Sequence, residues 1–398
     1  MFVFLRNLLS SLVLALSLLI SGLAISEASS AQDKISFWAT IKRGTNVFNK
    51  SVERETVKAA KDYGLQFIRL SPARFPSKGR DFLIGNADEY VGLVEEDVKA
   101  LRSILDMCAE EDMSIVLTML GLPGLRWTDS SWWEADNVDD QRLWDSPEFQ
   151  MQAAQFWKDL AAEFHDHPAI VGFNLLNEPA LEKRYTVGGE GLAKISQEKV
   201  QKELFEFYAL LIKTVRSVAP DVPIILDSSA YAEAEAFEFF KPHDDDKVLY
   251  AFHVAEPFEY TSFRENKGKY EYPGKINGKL WNSQALKDYL QSVVSFQKRY
   301  DIPSNRILAG EFGADRRSRG VEIYLRDLVE IFDARGWHNA FYAFRTDSWH
   351  GRDYELGSGK MPWSYWKALE KGEKPKLNRS AKHPAFKALL KPLGKTEG

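Results

Sequence analysis

The stretch Ile170-Val171-Gly172-Phe173-Asn174-Leu175-Leu176-Asn177-Glu178-Pro179 decides the fold. It is near-continuously apolar and then stops on a carboxylate followed by proline. A short run without polar alternation is what a strand buried on both faces of a parallel sheet requires. A carboxylate is costly to bury, so its place at the end of such a strand needs a reason. A second run, Ile307-Leu308-Ala309-Gly310-Glu311-Phe312-Gly313, is built the same way and places Glu311 at its end. Working outward, eight short runs read as strands: 44–48, 67–70, 115–119, 170–176, 224–227, 248–253, 306–311 and 339–344. Helical periodicity fills the spaces between them, over 54–63, 93–111, 151–164, 198–218, 285–300 and 321–334. The second of these puts Leu101, Ile104, Leu105 and Cys108 on one face, and Gly64, Pro220 and Gly336 stand after helices as stops. Eight strands, each followed by helical sequence, specify an α/β fold of the (β/α)8 TIM barrel type over a doubly wound open sheet. No linker divides residues 32–398, which therefore form one barrel domain. The irregular stretches 121–147, 180–195, 256–282 and 346–383 all follow strands. In a barrel they are long βα loops at the C-terminal face, where active sites are built.

The composition agrees. The chain has 398 residues, 44 % hydrophobic and 27 % charged, which supports a sizeable core and excludes wholesale disorder. Fifty-two basic against 57 acidic residues leave a net charge of −5, without the basic balance of a nucleic-acid binder. The lone Cys108 excludes an intramolecular disulfide and a thiolate-rich metal site. Eight of the 11 tryptophans (Trp127, Trp132, Trp133, Trp144, Trp281, Trp349, Trp363 and Trp366) fall in the expected top-face loops, where they suit a ligand with flat apolar faces. The first residues read as an address. Arg6 supplies a positive charge, 7–26 carries none and is rich in Leu, and Ser26-Glu27-Ala28-Ser29-Ser30-Ala31 is a small-residue cleavage region. This is the order of a secretory signal peptide over 1–31, giving a secreted (extracellular or periplasmic) chain with no membrane partner after cleavage. An uncleaved anchor is the alternative, because the uncharged stretch approaches the roughly 20 residues that span a bilayer.

In a closed eight-stranded barrel, the fourth and seventh strands face one another across the mouth. Glu178 and Glu311 can there flank a glycosidic bond, one as an acid with a raised pKa and the other as an ionised nucleophile. Retention of configuration needs the pair about 5–5.5 Å apart, inversion about 6.5–9.5 Å.

Six motifs occur in order along nearly the whole mature chain. They are Arg43-Gly44-Thr45-Asn46, Phe67-Ile68-Arg69-Leu70, Asn177-Glu178-Pro179, His253 with Glu256-Pro257-Phe258, Glu311-Phe312-Gly313, and Asp353-Tyr354-Glu355-Leu356-Gly357. Together they resemble the cellulase-like family 5 glycoside hydrolases, of a barrel clan with both carboxylates on strands four and seven. The resemblance implies a retaining hydrolase with Glu178 as acid/base and Glu311 as nucleophile. It implies that Asn177 binds the sugar 2-hydroxyl, that Arg69 sits near Glu311 and keeps it ionised, and that His253 joins the same polar network. It implies a β-linked oligo- or polysaccharide as partner, a β-glucan first, with no metal and no organic cofactor. The sequence departs from the family at three places. Leu120 stands where the family has a histidine after strand three, and Ala255 where a tyrosine is expected after His253. Ala340-Phe341-Tyr342-Ala343-Phe344-Arg345 occupies strand eight without the usual tryptophan platform. Trp349 is the candidate to fold back as that substrate-binding surface, and Tyr231 the candidate for the missing hydroxyl.

Other motifs take bland readings. His165-Asp166-His167 reads as an exposed turn after a helix, since no further ligand cluster accompanies it. Asp244-Asp245-Asp246 reads as a solvated loop, lacking the ligand spacing of a calcium loop. Gly357-Ser358-Gly359-Lys360 lacks the phosphate-loop spacing, and no Gly-x-Ser-x-Gly elbow is present. Two other functions fit the same residues: a carbohydrate-binding protein on a degenerate hydrolase barrel, motivated by Leu120 and Ala255, and a transglycosylase.

Overall fold

Eight parallel strands close on themselves. They are β1 (Arg43–Val47), β2 (Phe67–Leu70), β3 (Ser114–Thr118), β4 (Ile170–Asn174), β5 (Ile224–Asp227), β6 (Val248–Val254), β9 (Ile307–Phe312) and β10 (His338–Phe341), with β1 paired to both β2 and β10. The computed structural model describes residues 34–394 save 78, 87, 127–139, 183–196, 348–349 and 374. Residues 1–31, Trp127, Trp132, Trp133, Trp349 and the glycine-rich 188–191 lie outside the described residues. The helices Arg54–Asp62, Glu95–Glu110, Pro147–Phe164, Gln197–Arg216 and Val321–Arg335 follow the expected segments. No described helix is long and apolar enough to cross a membrane.

The expected helix 285–300 is two, Ser283–Tyr289 and Gln291–Tyr300, with Leu290 between them at ψ 2°. Leu286, Leu290, Val293 and Val294 are all buried and keep helical spacing across the break, so the apolar pattern does not reveal it. A further antiparallel hairpin, β7 (Gly274–Ile276) with β8 (Lys279–Trp281), lies inside the loop after β6. The positions of two loop tryptophans also correct the expectation. Trp281 is buried beside Tyr289, and Trp144 is buried against Phe207, so both are loop core rather than ligand surface. Trp363 and Trp366 are exposed as expected.

The barrel interior has two layers. The lower is apolar: Phe67, Val116, Val171, Ile225, Leu249, Ala251, Leu308 and Ala340 converge on Trp38. Trp38 plugs the bottom from the short helix Lys34–Ala39, its indole N–H donating to the Val171 carbonyl at 2.9 Å. Side chains of one face recur every second residue along a strand. Two residues beyond the apolar layer, Arg69, Thr118, Asp227 and His253 therefore form an upper, polar layer, joined by Asn46 of β1. Two strands break this period. Val171 is an extra residue in β4 against β3, and Gly310 an extra residue in β9 against β6. Such bulges re-aim side chains next to functional sites. Here they bring Asn174 to the inner face and set Glu311 opposite His253. A Cβ at Gly310 would stand 3.1 Å from His253 Nε2, tighter than an ordinary contact, so a side chain there would press on the imidazole.

Candidate active site

Arg69 is the hub of the polar layer. Its side chain is fully buried. Nη1 donates to Glu311 Oε1 at 2.8 Å and to Asn46 Oδ1 at 3.0 Å. Nη2 donates to Asn174 Oδ1 at 2.6 Å and to Asn177 Oδ1 at 2.7 Å, and lies 3.4 Å from Asp227 Oδ2. Nε also donates to Asn174 Oδ1, at 2.9 Å. A planar guanidinium with five donors can hold these five acceptors from four strand ends, which a lysine cannot.

Glu178 follows the end of β4 with φ +51°, a left-handed backbone that costs a non-glycine residue roughly 1–3 kcal/mol. Its N–H donates to Asp227 Oδ2 at 3.1 Å, and the Asn177 N–H donates to the Met119 carbonyl at 2.9 Å, so the turn is pinned on both sides. Its carboxyl, about a third exposed, meets His253 Nδ1 at 2.7 Å. Glu311 lies deeper, bonded to Arg69. Ligating atoms of Glu178, His253 and Glu311 all lie within 4.8 Å of one another, so the two carboxylates stand near the separation of a retaining pair and short of an inverting one. The same trio is close enough to hold a metal, but the guanidinium bonded to Glu311 fixes a positive charge beside any cation placed there.

The structure thus brings together Arg69, Asn177, Glu178, His253 and Glu311. Trp349 lies outside the described residues. Asn177 gives its Oδ1 to Arg69, which leaves its amide N–H groups as the donors it can offer a ligand. His253 bonds Glu178 rather than Arg69. Ala255 is exposed and Leu120 half-buried, so neither place holds a polar side chain. Tyr231 stands on the turn after β5, where Ala230, Tyr231 and Ala232 all have positive φ. Tyr342, one residue past β10, packs edge-on to Phe48 at 5.8 Å and lies close enough to Glu311 to feel its charge. It offers an aromatic face at the strand-eight place where tryptophan is missing. The Asp353–Gly357 motif is a clamp rather than a site. The Tyr354 hydroxyl bonds both backbone groups of Ala314, and Glu355 accepts from Arg345 and Tyr63. Two of the other motifs are more buried than an exposed turn and a solvated loop would be. His167 bonds Asp106 and the Ala169 N–H, and Asp245 pairs with Arg216.

One residue was missed. Asp227 ends β5 fully buried, touching Arg69, Asn174, Glu178 and His253. The signal was the one that marked the two glutamates, a carboxylate ending an apolar run.

The electrostatics correct one expectation. Burial pushes Glu311 above the ordinary carboxylate value of 4.5, and the opposing pull of His253 and Arg69 does not cancel it; Glu178 adds to the rise. Arg69 therefore restrains the rise without setting the direction. Burial lowers His253, but the charges of Glu311 and Asp227 and the bond to Glu178 outweigh it, and the net is above 6.5. If Glu311 must be ionised to react, rate is lost as pH falls through this raised value. The acid limb of kcat/KM is expected above pH 4.5, and a limb at or below that value overturns the assignment.

Comparison with known proteins finds a family model and several relatives. A family model described as Cellulase (glycosyl hydrolase family 5) matches residues 31–348. Endoglucanase C of Acetivibrio thermocellus is 22 % identical over 323 residues, covering 73 % of this chain and 83 % of that protein. Cellodextrinase A of Ruminococcus flavefaciens is 23 % identical over 314 residues, covering 77 % and 78 %. Among solved structures, a hyperthermophilic endo-β-1,4-glucanase in complex with substrate superposes with a TM-score of 0.62 at 17 % identity, covering 90 % of this chain and 99 % of that one.

Proposed function

The chain belongs to the cellulase family, glycosyl hydrolase family 5, and from that premise we propose that it hydrolyses a β-linked glycan, a β-glucan first, with retention of configuration. The observation that carries the proposal is the Glu178–Glu311 pair, with ligating atoms within 4.8 Å and each carboxyl bonded to its own partner, His253 and Arg69. In the first step Glu311 attacks the anomeric carbon while Glu178 protonates the departing oxygen. In the second, Glu178 takes a proton from water, which hydrolyses the glycosyl-enzyme. Asn177 donates its amide to the 2-hydroxyl, a bond that strengthens as charge develops on the sugar. Tyr342 offers the ring on which the sugar at the cleavage point stacks. The names of the endoglucanase and cellodextrinase relatives support a β-glucan. The family match, which starts at residue 31, supports a leader removed on export.

The charges balance for the first step. With Arg69 and His253 protonated and Asp227 and Glu311 ionised, the site is neutral when Glu178 carries its proton, the state a general acid needs. Hydrolysis is favoured over glycan binding alone because both carboxylates keep their partners despite the apolar Leu120 and Ala255.

The test is Glu178→Ala. Turnover of a natural β-glucan is expected to fall about 10²–10⁴-fold, the contribution of a positioned acid/base. A dinitrophenyl glycoside, whose leaving group needs no proton, still forms the glycosyl-enzyme. Azide then restores turnover and yields a β-glycosyl azide. An α-azide, or no loss on β-glucan, overturns the assignment.

A further inference from the structure

Glu178 owes its geometry to a residue that never meets the sugar. We propose that Asp227 is the positioning residue of the acid/base, fixing Glu178 from two directions, through its backbone N–H and through His253. The proposal rests on the reading of Glu178 as acid/base.

The contacts are specific. Asp227 is fully buried at the end of β5, so it cannot touch substrate. Oδ1 accepts from Asn174 Nδ2 at 2.9 Å. Oδ2 accepts the Glu178 N–H at 3.1 Å and holds the left-handed turn that presents the carboxyl to the cleft. The same oxygen faces His253 Nε2 at 3.4 Å and Arg69 Nη2 at 3.4 Å. His253 is thus held between two carboxylates, Glu178 at Nδ1 and Asp227 at Nε2. Its Nε2 is buried without a hydrogen bond, and Asp227 is the acceptor within ion-pair reach of it.

A buried imidazole nitrogen next to a carboxylate carries its proton more readily, since the charged form gains the interaction. With Nε2 protonated toward Asp227, a second proton on Nδ1 points at Glu178. That orients the Glu178 carboxyl and keeps a donor on it after its own proton has left with the leaving group. The charged and titratable groups facing His253 are Glu178 beyond β4, Asp227 of β5 and Glu311 of β9; Arg69 of β2 lies behind Asp227. Of the three carboxylates, Glu178 and Glu311 change state or partner in the reaction. Asp227 is the constant one.

The test uses the full chain with Asp227→Asn, which keeps an oxygen for the Glu178 N–H and removes the charge. Turnover of a β-glucan is expected to fall about 10–100-fold, the usual effect of removing the group that orients a working residue, with KM little changed. Formation of the glycosyl-enzyme from a dinitrophenyl glycoside is expected to fall much less. The alkaline limb of the pH profile moves down, because His253 loses a charge that favoured its protonated form. In a His253→Gln background the same substitution no longer moves the limb. Equal losses on both substrates with an unmoved limb overturn the proposal, provided the wild type turns over glycan and Glu311→Ala does not. If the wild type turns over no glycan and no aryl glycoside, it is the acid/base reading that fails. Should the variant not fold, ¹⁵N spectra of wild-type His253 decide: both ring nitrogens protonated at pH 6.5 support the pair, and a neutral ring there overturns it.

Discussion

Replacing Glu311 by alanine is expected to abolish glycan hydrolysis, on the order of 10⁵-fold or more, as when other hydrolases lose their covalent nucleophile. Glu311 is the deeper of the two carboxylates and the one bonded directly to Arg69. A nucleophile removed at this point leaves a small cavity on the face from which the sugar is attacked. External azide or formate can enter that cavity, and attack from it gives an inverted, α-configured product. The outcome is opposite to that expected for Glu178→Ala, where azide intercepts a glycosyl-enzyme and gives the β product. The pair of product configurations assigns both residues without reference to any rate. If Glu311→Ala retains more than a few per cent of glycan turnover, or yields a β-azide, the nucleophile lies elsewhere. Folding need not be lost, because the carboxyl lies at the open end of the polar layer and Arg69 keeps Asp227 and three asparagines as partners.

Much of this site was legible because barrel strands carry a plain signal. Each of the eight is a short apolar run, and a carboxylate at its end is an anomaly visible without any partner. Glu178 and Glu311 were found that way, and the order of the motifs then carried Arg69, Asn177 and His253. What escaped depends on pairing across the barrel. Asp227 carries the same local signal, a carboxylate ending an apolar run, but its partner Arg69 is 158 residues away and no motif of the resemblance covers it. The extra residues in β4 and β9 are visible only against the neighbouring strand, since a bulge is a relation between two chains of hydrogen bonds. The apolar pattern of β4 continues to residue 176, whereas the strand ends at Asn174 and the chain then bends toward the positive φ at Glu178. Trp144 and Trp281 were misplaced for a further reason. A long barrel loop has a small core of its own, and composition cannot separate an aromatic buried there from one facing the cleft.

Arg69→Met is expected to destabilise the fold by about 3–5 kcal/mol at neutral pH, the usual result of removing one partner of a buried ion pair. Against a total stability of about 5–15 kcal/mol this is a severe loss. Methionine fills much of the arginine stem, so little of the effect comes from a cavity. It comes from what is stranded: Asp227, fully buried, Glu311, and the side-chain oxygens of Asn46, Asn174 and Asn177. The pH dependence follows from the charge. Glu311 is already pushed above 4.5, and without Arg69 one of the influences holding it down is gone. A carboxyl whose pKa is higher folded than unfolded binds its proton preferentially in the folded state, so stability rises as pH falls toward the unfolded value. The deficit of Arg69→Met relative to wild type, measured by urea unfolding, should therefore be smaller at pH 5 than at pH 7. The variant is also expected to lose most of its turnover, because Glu311 loses the guanidinium that orients it and favours its ionised form. Arg69→Lys separates charge from shape. An ammonium restores a positive charge near Asp227 and Glu311, and part of the stability with it. It cannot reach acceptors on four strand ends at once, so the Glu311 and Asn177 side chains lose their fixed positions and turnover stays low. A fully stable Arg69→Met, or an Arg69→Lys with wild-type turnover, would mean that the polar layer is held by something other than this guanidinium.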